Sequence, residues 1–224
     1  GVGVIVDPDA CVFFEDLRKL ASGEMKMIRH GIHGDMLLEM GIDVFYGCTK
    51  LTTIVTNADT ALSSNAFADT GLKQIDYYGP TIVNGLFSGV KTLEKIVIHN
   101  NIDTIGERAF SNCTNLTEVV FNGSCKAIAT SAFENCTSLT TVVIKNDITY
   151  LGQKAFSGCR KLNSVTFEGG CEEIAAYAFF DCRALTNFKL PNSDVIIGDM
   201  AFAESYIKNF IPFIYAFFQL FYAH

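Results

Sequence analysis

The sequence predicts an α/β fold, a solenoid of short repeats with a parallel sheet on one face and short helices or 3-10 turns on the other. Three observations carry that prediction. Phenylalanine recurs at Phe45, Phe67, Phe87, Phe110, Phe133, Phe156, Phe179 and Phe202, at spacings of 22, 20 and then five times 23 residues. Between these markers, apolar residues recur in fixed slots of a 23-residue unit. The 224 residues are 49% hydrophobic and 18% charged, which suits a single folded domain and argues against disorder. A unit this short cannot bury its own apolar face, so it must stack on its neighbours.

Full units open at Leu93, Leu116, Leu139 and Leu162; a fifth, from Leu185, keeps the register to Ala201 and Phe202. Three earlier units are looser. With slots numbered from the opening Leu, slots 1, 4 and 6 are apolar, as in Leu139, Val142 and Ile144. Slots 4 and 6 alternate as in a strand with one buried face. Stacked units then form a parallel ladder with strands about 4.8 Å apart, on the order of 40 Å long for about eight units. Slot 10 is apolar or Cys (Ile102, Cys125, Ile148, Cys171), and slot 13 is Ile105, Ile128, Leu151, Ile174 and Ile197. The small residues of slot 14 (Gly106, Ala129, Gly152, Ala175, Gly198) suit a tight turn. Slots 17 and 18 are Ala-Phe from Ala109-Phe110 onward, with Ala allowing close approach and Phe filling the interior. Segments such as ERAFSNC suit a short helix or 3-10 turn.

A two-unit rhythm overlies the repeat. Slot 6 alternates Ile98, Phe121, Ile144 and Phe167, slot 10 alternates Ile and Cys, and slot 14 alternates Gly and Ala. Interdigitated packing and duplication of a 46-residue pair both produce such a pattern.

The slots L-x-x-V-x-I…I-G-x-x-A-F-x-x-C resemble the BspA-like leucine-rich repeats over roughly residues 41 to 210. The resemblance implies a right-handed leucine-rich-repeat horseshoe. It also implies surface display, an extracellular or cell-surface location, and adhesion to host extracellular or bacterial surface proteins. The family's usual slot-7 Pro is present at Pro191 but replaced by His99, Asn122, Lys145 and Glu168. Asp194 breaks the apolar pattern of slot 10 in the last full unit.

Three regions follow. Residues 1–40 read as an N-terminal cap or degenerate repeat, with ACVFFEDLRKLAS as an amphipathic helix. Residues 41–210 form the solenoid, and residues 211–224 an aromatic C-terminal cap or tail. Both ends of a solenoid expose a core cross-section that needs covering. The aromatic end, with Phe213, Phe217, Leu220 and Phe221 at helical spacing, suits a helical cap, then a dimer contact. Its apolar stretch is too short to span a membrane. The chain begins at Gly1 rather than Met, so the lack of a signal peptide says little about secretion.

Catalysis has little foothold. Cys113, Cys136, Cys159 and Cys182 form a column in slot 21, and Ser205 follows them. Zinc needs convergent ligands, whereas a repeat spreads these along its axis. Parallel side chains keep the Cβ atoms beyond disulfide separation, so buried free thiols are expected here and at Cys125 and Cys171. His30 and His33, with Asp35 nearby, make a weak metal pattern, and His99 and His224 stand alone. The opening GVGVIV lacks the spacing and preceding strand of a dinucleotide fingerprint. No catalytic residue, cofactor or metal site is expected.

A net charge of −7 disfavours nucleic acid and anionic membranes as partners. Function is expected in the outward sheet slots. Slot 3 reads Lys95, Glu118, Thr141, Ser164 and Asn187, and slot 5 reads Val97, Val120, Val143, Thr166 and Lys189. Three stacked valines beside polar neighbours form a protein-contact stripe, although Val and Thr also favour any solvated strand. A surface recognition or adhesion module is the leading expectation. A structural spacer is second and an enzyme third.

Overall fold

The computed structural model describes residues 4–6, 27–29, 36–38, 45–49, 51–56 and 62–208. The predicted N-terminal helix, the pair His30 and His33, Cys11 and the aromatic segment from residue 209 lie outside them. Strands β1 (Val4–Val6), β2 (Met27–Arg29) and β3 (Met36–Leu38) precede the repeats. The main sheet then takes one strand from each turn: β4 (Thr53–Thr56), β5 (Gln74–Tyr77), β6 (Lys95–Ile98), β8 (Glu118–Phe121), β10 (Thr141–Ile144), β12 (Ser164–Phe167) and β14 (Asn187–Phe188). These seven are parallel and in order, with β1 antiparallel against β4 at one edge. The 23-residue register is kept from β6 onward, with Ile96 beside Val119 and Val142 beside Val165. Between β4, β5 and β6 it shortens to 21, with Ile54 beside Ile75 and Ile75 beside Ile96.

The other side of each turn departs from expectation. Slots 10 to 13 form a second parallel sheet of β7 (Ile102–Ile105), β9 (Cys125–Ile128), β11 (Ile148–Leu151), β13 (Cys171–Ile174) and β15 (Ile196–Ile197). No helix or 3-10 turn occurs among the described residues. The architecture is a parallel β-solenoid rather than an α/β one. Dihedral angles give the reason. Slot 16 has positive φ at Arg108, Ser131, Lys154, Tyr177 and Met200, and slot 20 at Asn112, Asn135, Gly158, Asp181 and Glu204. Two left-handed residues per turn stop helical propagation, which needs φ near −63° throughout. The Ala-Phe segment therefore runs as hydrogen-bonded turns, and its amides donate to the next turn, as Phe133 N does to Ala155 O at 2.8 Å.

Within the solenoid, the eight Phe markers stack into one continuous column. Centroid separations run from 4.9 to 5.5 Å and interplanar angles from 1° to 13°. Strand residues at slots 4 and 6, and slots 10 and 13, point into the same core. Asp194 has the effect expected of a polar residue in slot 10, since β15 shortens to Ile196–Ile197.

Slot 14 is a point of close approach rather than a turn. A Cβ built on Gly152 would lie 2.6 Å from the Ala129 carbonyl carbon and the Thr130 nitrogen, both backbone atoms of the turn below. Packing therefore accounts for the glycine phase of the rhythm here. Slot 8 carries the opposite phase, with Asn100, Asn146 and Asn192 alternating with Gly123 and Gly169. Gly152→Ala is expected to destabilise by about 1–3 kcal/mol, the usual cost of overpacking. Ala129→Gly in the same slot is expected to cost under about 1 kcal/mol. Urea titrations of the two variants check this, and equal midpoints would remove the steric account.

Candidate functional site

The solvent face of the main sheet collects all ten predicted site residues. In slot 3, Lys95, Glu118, Thr141, Ser164 and Asn187 sit side by side in register. In slot 5, Val97 pairs with Val120 and Val143 with Thr166; Lys189 follows β14 and is exposed. Val143 is 39% exposed, while Val97 and Val120 are half-buried. The Lys95 ammonium lies 2.9 Å from the Glu118 carboxylate, and that of Lys73 lies 3.8 Å from Glu94. Exposed pairs of this kind contribute little to stability. With Thr52, Thr53, Gln74 and Thr117 they line a shallow groove of about 630 Å³ along the entry side of the sheet.

The face extends beyond the predicted slots. His99 does not stand alone, because its Nε2 lies 2.8 Å from Asp76 Oδ1 and its ring stacks on Tyr78 at 4.1 Å, 2° from parallel. The Asn122 amide nitrogen sits 3.4 Å from His99 Nδ1. Nδ1 faces this amide rather than a hydroxyl or thiol. Slot 7 holds Tyr78, His99 and Asn122, and outward alternation past slot 5 was the signal for them. The Asp76–His99 contact joins slot 5 to slot 7 across a shortened turn and has no such signal.

The thiols are built into the fold. Cys113, Cys125, Cys136, Cys159, Cys171 and Cys182 are buried and unbridged. In slot 21 they do more than fill space. Each Sγ donates to the carbonyl of the preceding turn's column phenylalanine: Cys113 to Phe87 at 3.0 Å, and Cys136, Cys159 and Cys182 to Phe110, Phe133 and Phe156 at 3.1 Å. Ser205 makes the same bond to Phe179 at 2.8 Å, which explains how serine occupies a cysteine slot. Burial pushes the Cys125 and Cys171 thiols up to about 11 and Cys182 to about 12, and it raises Cys113, Cys136 and Cys159 well above the ordinary thiol range. Such thiols are not nucleophiles at neutral pH. Among the described residues, no three His, Cys, Asp or Glu side chains are grouped to hold a metal ion. No described helix is long and apolar enough to cross a membrane.

Stacked, closely similar turns with one open, mixed polar and apolar sheet define a repeat scaffold. The chain belongs to the BspA-type leucine-rich repeat family: the model "BspA type Leucine rich repeat region (6 copies)" matches residues 29–82 and 80–208. A leucine-rich repeat protein from Eubacterium ventriosum ATCC 27560 is similar, with 30% identity over 72% of this chain and 42% of the other, and a TM-score of 0.57. A leucine-rich cell surface protein from Faecalibacterium prausnitzii A2-165 shares the fold, with 24% identity over 81% and 46% of the two chains and a TM-score of 0.54. The chain thus spans less than half the length of either structure. No curated protein matches it.

Proposed function

We infer that this chain is a non-catalytic protein-binding or adhesion module displayed at a cell surface, with a host extracellular or bacterial surface protein as its ligand. One observation carries the reading: Val97, Val120 and Val143 form an outward row on the sheet, half-buried at the first two and 39% exposed at Val143, flanked by Lys95, Glu118 and Thr141 on one side and by His99 and Asn122 on the other. An apolar centre with a polar rim is the usual anatomy of a protein contact. The surface location draws support from the family and from the printed description of the Faecalibacterium protein. The aromatic segment 211–224 is proposed as a cap or dimer contact, which the oligomeric state of a chain lacking it tests.

Val120→Lys combined with Val143→Glu places opposite charges on adjacent strands, avoiding like-charge repulsion. Binding to a panel of host extracellular and bacterial surface proteins is expected to fall at least tenfold, with the unfolding midpoint nearly unchanged. Unchanged binding to every partner that the parent protein captures would remove this row as the site.

A further inference from the structure

The corner that leads into the last strands of the main sheet carries a charged constellation that the repeat does not need. Slot 22 is Thr114 and Thr137 in two turns, then Arg160 and Arg183 in the next two. Slot 20 holds Asn112, Asn135 and Gly158 before it becomes Asp181. The departures are coupled in space. Arg160 Nε donates to Asp181 Oδ2 at 2.8 Å, and Arg183 Nε donates to Asp181 Oδ1 at 2.6 Å. The Asp181 side chain is 12% exposed, whereas the two arginines are 59% and 56% exposed.

One nearly buried carboxylate thus holds two exposed guanidiniums, and Glu204 adds a second negative charge that acts on Arg183. Its position is rigid, because Asp181 has φ 56° and its amide donates to Ala203 O at 3.0 Å. Burial raises the Asp181 carboxyl, but the hydrogen bonds from Arg160 and Arg183 outweigh it and hold the group below its ordinary value. Contact through Nε leaves further N–H donors on the Nη groups of each guanidinium. Lys161, exposed and next in sequence, adds a third positive charge. In a chain of net charge −7, this is a local reversal of sign.

We propose that Arg160 and Arg183, positioned by Asp181, form a second binding site for paired carboxylates of an acidic peptide segment. A carboxylate presents two coplanar oxygens that match one guanidinium end. The two arginines occupy the same slot of adjacent turns, with backbones about 4.8 Å apart, and both guanidiniums converge on Asp181, so two acidic side chains of one short segment reach both. Repulsion from the acidic remainder of the chain is screened over about 8 Å at physiological salt, so the site acts at short range.

Calorimetric titration with an oligoglutamate peptide, and with its glutamine counterpart, tests the site. Glutamate binding is expected, glutamine binding is not, and added salt weakens the former. Arg160→Lys with Arg183→Lys keeps the charge but removes the forks, and a loss of at least tenfold is expected. Asp181→Asn raises the net positive charge yet releases both guanidiniums, so it is also expected to weaken binding. Lys126→Gln with Lys145→Gln removes two charges elsewhere and is expected to change affinity less than threefold. Tighter or equal binding by Asp181→Asn, or full binding by the double lysine variant, means that net charge alone is read and overturns the proposal. So does absence of glutamate binding, or a preference for a sulfated oligosaccharide over the peptide.

Discussion

Phe133→Ala is expected to lower unfolding free energy by about 3–5 kcal/mol, the range for deleting a buried aromatic ring from a packed core. Phe133 is 1% exposed and lies between Phe110 and Phe156, at 4.9 and 5.1 Å and within 2° of parallel to both. Removing it leaves a void and takes a stacking partner from each neighbour. Position in the column matters too. Repeat proteins derive stability from nearest-neighbour interfaces, so a defect in a central turn weakens two of them. Phe45 stacks on Phe67 alone among the described residues, and Phe45→Ala is expected to cost less. Guanidinium unfolding of both variants checks the ordering. A loss below about 1 kcal/mol for Phe133→Ala would mean that neighbouring side chains refill the column.

Alkaline pH is expected to unfold the protein cooperatively between about pH 9 and pH 11. Six buried thiols remain protonated in the folded state, because burial pushes Cys125 and Cys171 to about 11, Cys182 to about 12 and the other three well above the ordinary thiol range. In the unfolded chain they ionise near 8.5. A group whose folded value is raised contributes stability that is intact below the unfolded value and lost as pH rises through the folded one. Each thiol that stays protonated then costs up to about 1.4 kcal/mol per pH unit above the unfolded value, so several together cost several kcal/mol by pH 10. That is comparable with the whole stability of a domain. Tyr77, which burial raises to about 12, acts in the same direction. Replacing Cys113, Cys136, Cys159 and Cys182 by Ser keeps a donor for each Phe carbonyl, as Ser205 already does. This variant is expected to move the alkaline midpoint upward, measured by circular dichroism. An unmoved midpoint would assign the transition to other groups.

Much of this molecule is legible because the same environment recurs turn after turn. Slots 4, 6 and 18 read correctly as core, since one missing or unusual residue is outvoted by its equivalents. The slot-21 cysteines read correctly as buried because a column cannot converge on a metal. The outward rows Lys95 to Asn187 and Val97 to Lys189 follow from alternation within strands whose register the repeat sets. The return segment was misread for a local reason. Slot 20 signals a left-handed backbone through Gly47, Gly89, Asn112, Asn135 and Gly158. Slot 16 hides one behind Arg108, Lys154 and Tyr177, residues that signal no such thing.

The sequence by itself determined the period, the inward slots, the parallel stacking and the burial of the thiols. All of these follow from hydrophobic periodicity, which acts identically in every turn. Only the tertiary structure decided the second sheet, the close approach at Gly152, the thiol bonds to the Phe carbonyls, the His99–Asp76 pair and the arginines held by Asp181. Each of these depends on backbone dihedrals or on contacts between residues 21 to 26 positions apart. Side chains in two different turns meet there, and a pattern within one turn does not say which partner each will find.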